Sequence, residues 1–251
     1  MRLDYALSRR MFVSLASIAP LLPAPEALAV GAGTSVTGKS RPELGCVLIE
    51  EVAQSGSTVT AELALNGGVA ATATFDSPWP LAKGLYYDVE TKNEKGSAFL
   101  QVVPLPAGES VTTASKKLFT KNVLKVDGRY GSYGAPTDVK ISADETAGER
   151  RSVDFGFTTT APGGADVMWK GTLTAVQPAG SSDALLIVSS APVSRWKDGG
   201  EKLSRSATSS FRIAQTRKTS VKPVPSSDVR FERMGGLLSD EERKKVADNK
   251  I

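Results

Sequence analysis

Apolar and polar residues alternate with period two along much of the middle of this 251-residue chain, the spacing of strands that bury one face. "STVTAELAL" and "VAATATF" enclose Asn66-Gly67-Gly68, a turn signal between two alternating runs, and predict a hairpin. "SPWPLAKG" is a Pro/Gly connection. "LYYDVETK" and "SAFLQVVPL" flank Asn93-Glu94-Lys95-Gly96 and predict a second hairpin with a four-residue loop.

The period then changes. In "GESVTTASKKLFTKNVLK", Val111, Ala114, Leu118 and Val123 fall on one side of a helical wheel, with Ser110 as the expected N-cap. Gly128, Gly131 and Gly134 force an irregular loop before a strand near Thr137. Four strand-like runs follow: "TDVKIS", "RRSVDFGFTTT", "DVMWKGTLTAVQ" and "ALLIVSSAP". Val153, Phe155 and Phe157 share one face, as do Val167, Trp169 and Leu173, with Gly171 as a candidate bulge. The fourth run is apolar almost throughout and is expected at the centre of the sheet. Leu203, Ala207 and Phe211 then recur every four residues on a short closing helix. Antiparallel runs with two packing helices predict an α+β sandwich, and about 170 residues suffice for one core.

The ends read differently. "SRRMFVSLASIAPLLPAPEALA" has cationic Arg9 and Arg10, an apolar run from Phe12 to Leu22, and Ala27-Leu28-Ala29, the small-x-small pattern of a cleavage site. The run is too short to span a bilayer, and Pro20, Pro23 and Pro25 argue against an amphipathic helix belonging to the domain. Residues 1–29 therefore read as an export signal of twin-arginine type, 30–45 as a flexible leader and 46–216 as the domain. From 217 to 251 runs a polar tail, in which Ser239 and Glu242 form a capping box for a short helix.

Charge adds one exclusion. The net charge is +4, but the signal and the tail carry the excess, so residues 30–216 are close to neutral. Nucleic acid is a poor partner for such a body, because binding it needs clustered phosphate contacts. The chain has no histidine and one cysteine, which excludes Ser-His-Asp and Cys-His catalysis. Zinc, haem and iron–sulfur sites built from this chain alone are all but excluded. Cys46 lies too far from the apolar run for a lipid anchor and reads as a small, partly buried residue. Nothing in this inventory favours an enzyme, since no Asp or Glu sits in a motif demanding acid/base work.

From Tyr86 to Ile213 the chain resembles the PsbP family of oxygenic phototrophs, in particular PsbP domain-containing proteins of the thylakoid lumen. Three segments carry the likeness in order: "YYDVETKNEKGSAFLQVVPL", "GRYGSYGAPTDVKI" and "LLIVSSAPVSRWKDGGEKLSRSATSSFRI". The resemblance implies an α/β/α sandwich around a central antiparallel sheet. It also implies a non-catalytic protein in the chloroplast thylakoid lumen, peripheral to the membrane, whose partners are photosystem complex subunits. The twin-arginine-type signal points to the same compartment. The family's founding member serves the oxygen-evolving side of photosystem II and helps retain calcium. Its docking leader and its histidines have no counterpart here, so the resemblance implies an assembly or stabilising role. A nucleus-encoded plastid protein carries a transit peptide before such a signal, and only seven residues precede Ser8. The gene is thus expected to be plastid-encoded or bacterial, or its product longer. The competing class is an exported ligand-binding protein or hydrolase of another lineage.

Candidate contact residues follow. Arg195 and Trp196 match the family's Arg-Trp position and read either as an exposed anchor or as a tryptophan capping the sheet end. Arg243, Lys244 and Lys245 form a basic patch on the tail helix, a pattern more often a solvated face than a docking site. Asp88, Glu90 and Glu94 offer hard oxygens along one hairpin, the chemistry calcium needs, without an EF-hand spacing; the alternative is a solvated charged face.

Overall fold

The structure, a computed structural model, describes residues 40–41, 44–82, 88–161 and 163–223. The export signal with Arg9, Arg10, Ala27 and Ala29, and the tail helix with Arg243, Lys244 and Lys245, lie outside the described residues.

Among the described residues three sheets form, all antiparallel. Strands β1 (Ser40–Arg41) and β2 (Cys46–Val47) make a small ribbon, so backbone pairing begins inside the expected leader. A four-stranded sheet joins β3 (Ala53–Ser55), β4 (Thr58–Leu65), β5 (Val69–Asp76) and β12 (Arg212–Lys218) in the order β12-β5-β4-β3. The larger sheet contains β6 (Glu90–Asn93), β7 (Gly96–Pro104), β8 (Thr137–Ala147), β9 (Arg150–Thr160), β10 (Asp166–Val176) and β11 (Asp183–Pro192). Its order is β6-β7-β11-β10-β9-β8. The apolar β11 is an inner strand with nine of its ten residues buried, as its composition requires.

Register defines two faces of this sheet. One carries Phe99, Leu173, Val188, Val153, Phe155 and Phe157 and packs beneath α1 (Lys116–Val123). The Gln101 side-chain amide donates to the Asn122 carbonyl there, and Arg151 donates to the carbonyls of Val111 and Ala114. Its guanidinium also lies 5.8 Å from the Phe119 ring centre and forms a two-bond pair with Asp144. The opposite face takes α3 (Glu201–Ser210) together with the four-stranded sheet. Trp79 abuts Gly96, the buried Cys46 thiol reaches the Leu100 carbonyl, and the Asp183 carboxylate accepts from the backbone and side chain of Asn66.

The third layer is therefore part helix and part sheet, where an α/β/α sandwich was expected. The cause is the apolar side of the β4–β5 hairpin: Val59, Ala61, Leu63, Ala71, Ala73 and Phe75 are buried, and that hairpin covers ground a helix would otherwise occupy.

Several local expectations change. Helix α1 starts at Lys116 with Ser115 as its N-cap, not at Ser110, although Val111 and Ala114 are buried as the helical wheel required. The second hairpin pairs Asn93 with Gly96, so Glu94 and Lys95 alone make its turn. Gly171 is no bulge, since β10 keeps register with both neighbours; a Cβ there would lie 2.8 Å from the Phe155 ring. In the large sheet the irregularities sit in β8, between Thr137 and Lys140 and between Ile141 and Ala143, and Asp138 has φ 51°. Strand β12 continues through Lys218, beyond the expected domain end at 216.

Candidate docking end of the large sheet

Pro192 closes β11, and the short helix α2 (Val193–Arg195) follows it. A wide turn spans Trp196–Gly200, in which Asp198 and Gly199 leave helical geometry before the chain re-enters α3. Gly199 takes φ 84°, and a Cβ on Gly200 would stand 2.7 Å from the Arg195 carbonyl oxygen, so both glycines are needed for the reversal. Trp196 is 5% exposed while Arg195 is exposed. The indole thus supports the turn from inside, and the guanidinium alone of this pair faces solvent. Sequence position could not separate these roles, because both fit a residue at a strand–helix corner.

The three hairpin carboxylates do not converge. Glu90 is 1% exposed and accepts from Arg129 at 2.6 Å. Asp88 is buried as well, whereas Glu94 is exposed on the turn. Among the described residues no group of three or more His, Cys, Asp or Glu is placed to hold a metal ion. Glu90 is thus drawn into a half-buried ion pair, a geometry that the reading of a solvated charged face also missed.

Its partner belongs to the glycine-punctuated loop after α1, which sequence reasoning treated as a connector. Arg129 and Tyr130 pin this loop over the sheet. The Tyr130 hydroxyl bonds that of Ser190 at 2.7 Å, and its ring meets Phe157 edge-on with centres 4.7 Å apart. Phe99 and Trp169 complete the cluster. Burial pushes the Tyr130 phenol up to about 12, against the smaller opposing effects of the Ser190 hydrogen bond and the Arg129 charge. The signal in the sequence was a pair of tyrosines separated by Gly131 and Ser132; one is half-buried with its ring in the cluster, and the other, Tyr133, is 61% exposed.

That second tyrosine belongs to a set. The exposed large apolar side chains among the described residues are Val126, Tyr133, Val139 and Met168. Val126 and Tyr133 lie on the loop that enters β8. Val139 is near the start of β8, and Met168 pairs with Thr158, itself opposite Thr137. The rows Asn93–Gly96, Ala191–Lys170 and Gly156–Lys140 set the Glu94-Lys95 turn and the Arg195 corner at the same end of the sheet. One end of the molecule therefore gathers exposed apolar side chains beside a free-standing guanidinium, the composition of a contact surface. Among the described residues, no helix is long and apolar enough to cross a membrane.

The chain is thus a mostly antiparallel β protein with few helices, whose most conspicuous surface is suited to contact. No family model matches it, and no curated protein does. Among solved structures it is similar to cyanobacterial PsbP from Synechocystis sp. PCC 6803, at 12% identity and a TM-score of 0.35, covering 64% of this chain and 97% of that one. It is similar in the same degree to the Saccharomyces cerevisiae Ran-binding protein Mog1p, at 7% identity and a TM-score of 0.35, covering 67% of this chain and 97% of that one.

Proposed function

We propose that this chain is an exported, non-catalytic protein of the PsbP kind that docks extrinsically on a photosystem complex from the thylakoid lumen and assists its assembly or stability. The observation that carries the reading is the order-preserving likeness of three segments between Tyr86 and Ile213, behind an Arg9-Arg10 signal. The surface around Tyr133, Val139, Met168 and Arg195 supports it, because docking through one localised patch suits a body with little net charge.

Affinity capture with the full chain from isolated thylakoids tests the proposal. A photosystem core should co-purify with the wild type and be depleted with the double variant Tyr133→Ser/Met168→Ser, whose exposed positions leave the fold intact. Recovery of the chain free of any photosystem subunit, in the soluble fraction throughout, would overturn it.

A further inference from the structure

The face of the large sheet that bears α3 is apolar on β7 and β11 but turns polar on its outer strands. In register, its rows read Thr174–Ser152–Glu145, Thr172–Asp154–Ala143, Lys170–Gly156–Lys140 and Met168–Thr158–Thr137. A cleft of about 250 Å³ between α3 and the first two rows is lined with Ser152, Thr172, Thr174, Thr208 and Ser209. Hydroxyls, the Asp154–Arg205 pair and the further carboxylate of Glu145 thus replace the apolar contacts usual under a helix.

The third row stands just outside that cleft. Gly156 is directly opposite Lys140 on one side and Lys170 on the other, so both lysines project from the same face. With strands about 4.8 Å apart, their Cα atoms are separated by about 10 Å, and a gap without a side chain lies between them. A Cβ on Gly156 would meet only the Trp169 carbonyl oxygen, at 3.4 Å, so the space above it is open. Both lysines are exposed, and neither has an ion-pair partner among the described residues. The facing carboxylate in the next row, Asp154, is held through both oxygens by Arg205, which removes its repulsion of an incoming anion. Two ammonium groups facing each other over an empty floor are mutually unfavourable until an anion joins them.

We infer that Lys140, Gly156 and Lys170 form a binding site for a tetrahedral oxyanion, a phosphate or sulfate group. The hydroxyl-lined cleft beside them receives the polar remainder of the molecule that bears it. Each ammonium donates to a separate oxygen of the anion, and the absence of a side chain at position 156 lets that anion sit low between them. The site borders the apolar docking end, with Met168 one row beyond Lys170 on the same face, but does not depend on the photosystem reading.

Titration of the purified chain with inorganic phosphate, followed by amide chemical shifts against sodium chloride of matched ionic strength, tests the inference. Shifts should saturate and centre on 140, 156 and 170. Lys140→Ala and Lys170→Ala should each weaken binding by about tenfold, the scale of one charge-assisted hydrogen bond. Gly156→Val should fill the gap and abolish saturation, with its fold checked by circular dichroism. Lys202→Ala, which removes an exposed lysine from α3, should bind as the wild type does. Flotation with vesicles containing phosphatidic acid then separates a lipid headgroup from a free phosphate compound as the source of the group. Shifts that fail to saturate, or equal losses from Lys202→Ala and Lys170→Ala, would reduce the site to a general field and overturn the inference.

Discussion

Arg195 and Trp196 are neighbours with opposite environments, and substitution should separate their roles. Trp196→Ala removes a buried indole at the corner between β11 and α3 and should lower stability by about 3–5 kcal/mol in urea unfolding. Arg195→Ala should change stability by less than about 0.5 kcal/mol, as surface substitutions do, while weakening photosystem capture. A second residue-scale contrast concerns pH. The raised Tyr130 pKa reflects a desolvated phenol that resists ionisation, whereas in the unfolded chain it ionises near 10.0. Its stabilising contribution is complete below pH 10 and is lost as pH climbs towards about 12, so an alkaline denaturation series should fall in that window. Tyr130→Phe should flatten the fall. Asp144 has the reverse sign. Its hydrogen bond from Arg151 holds the carboxyl below its ordinary value, so its contribution is present at neutral pH and disappears on acidification through the lowered pKa.

At the scale of elements, much of the sheet was readable because period-two alternation survives wherever one face is buried. Strands β4, β5, β9, β10 and β11 all fall where alternation or an apolar run placed them. The start of α1 was misread for a local reason. Ser110 and Thr113 bond each other through side chain and backbone, closing a turn of their own, and the helix restarts at the Ser115 cap. Ser115→Ala should accordingly cost about 1 kcal/mol, while the same change at Ser110 leaves the helix content unaltered. The candidate site was less legible. Burial of Trp196 and Glu90, and the alignment of Lys140 with Lys170 across Gly156, depend on pairings between segments far apart in sequence. The end of the domain is another such case. Arg217 and Lys218 pair with Ala70 and Val69, and Arg217 grips Glu62 through both carboxylate oxygens. Truncation after Pro223 should therefore preserve the melting temperature, whereas truncation after Thr216 should lower it, as differential scanning calorimetry would record.

For the whole molecule, near-neutrality of residues 30–216 means that no broad field draws it to a partner. Capture from thylakoids should decline with salt only as far as the Arg195 corner and the charged tail contribute, since exposed charges are screened within about 8 Å at physiological ionic strength. An apolar remainder should persist at high salt, carried by Tyr133 and Met168. Strand β8 bears on how such a molecule stays dispersed. It forms an exposed, eleven-residue margin of the large sheet, and a straight margin of that length would be a template for fibril growth. Its two breaks in register, the left-handed backbone at Asp138 and the charge of Lys140 interrupt the repeat that an incoming strand would need. Asp138→Val, which disfavours that backbone, should regularise the margin and raise light scattering with protein concentration. The irregularity of this strand therefore gives the folded protein colloidal stability that its low charge would not.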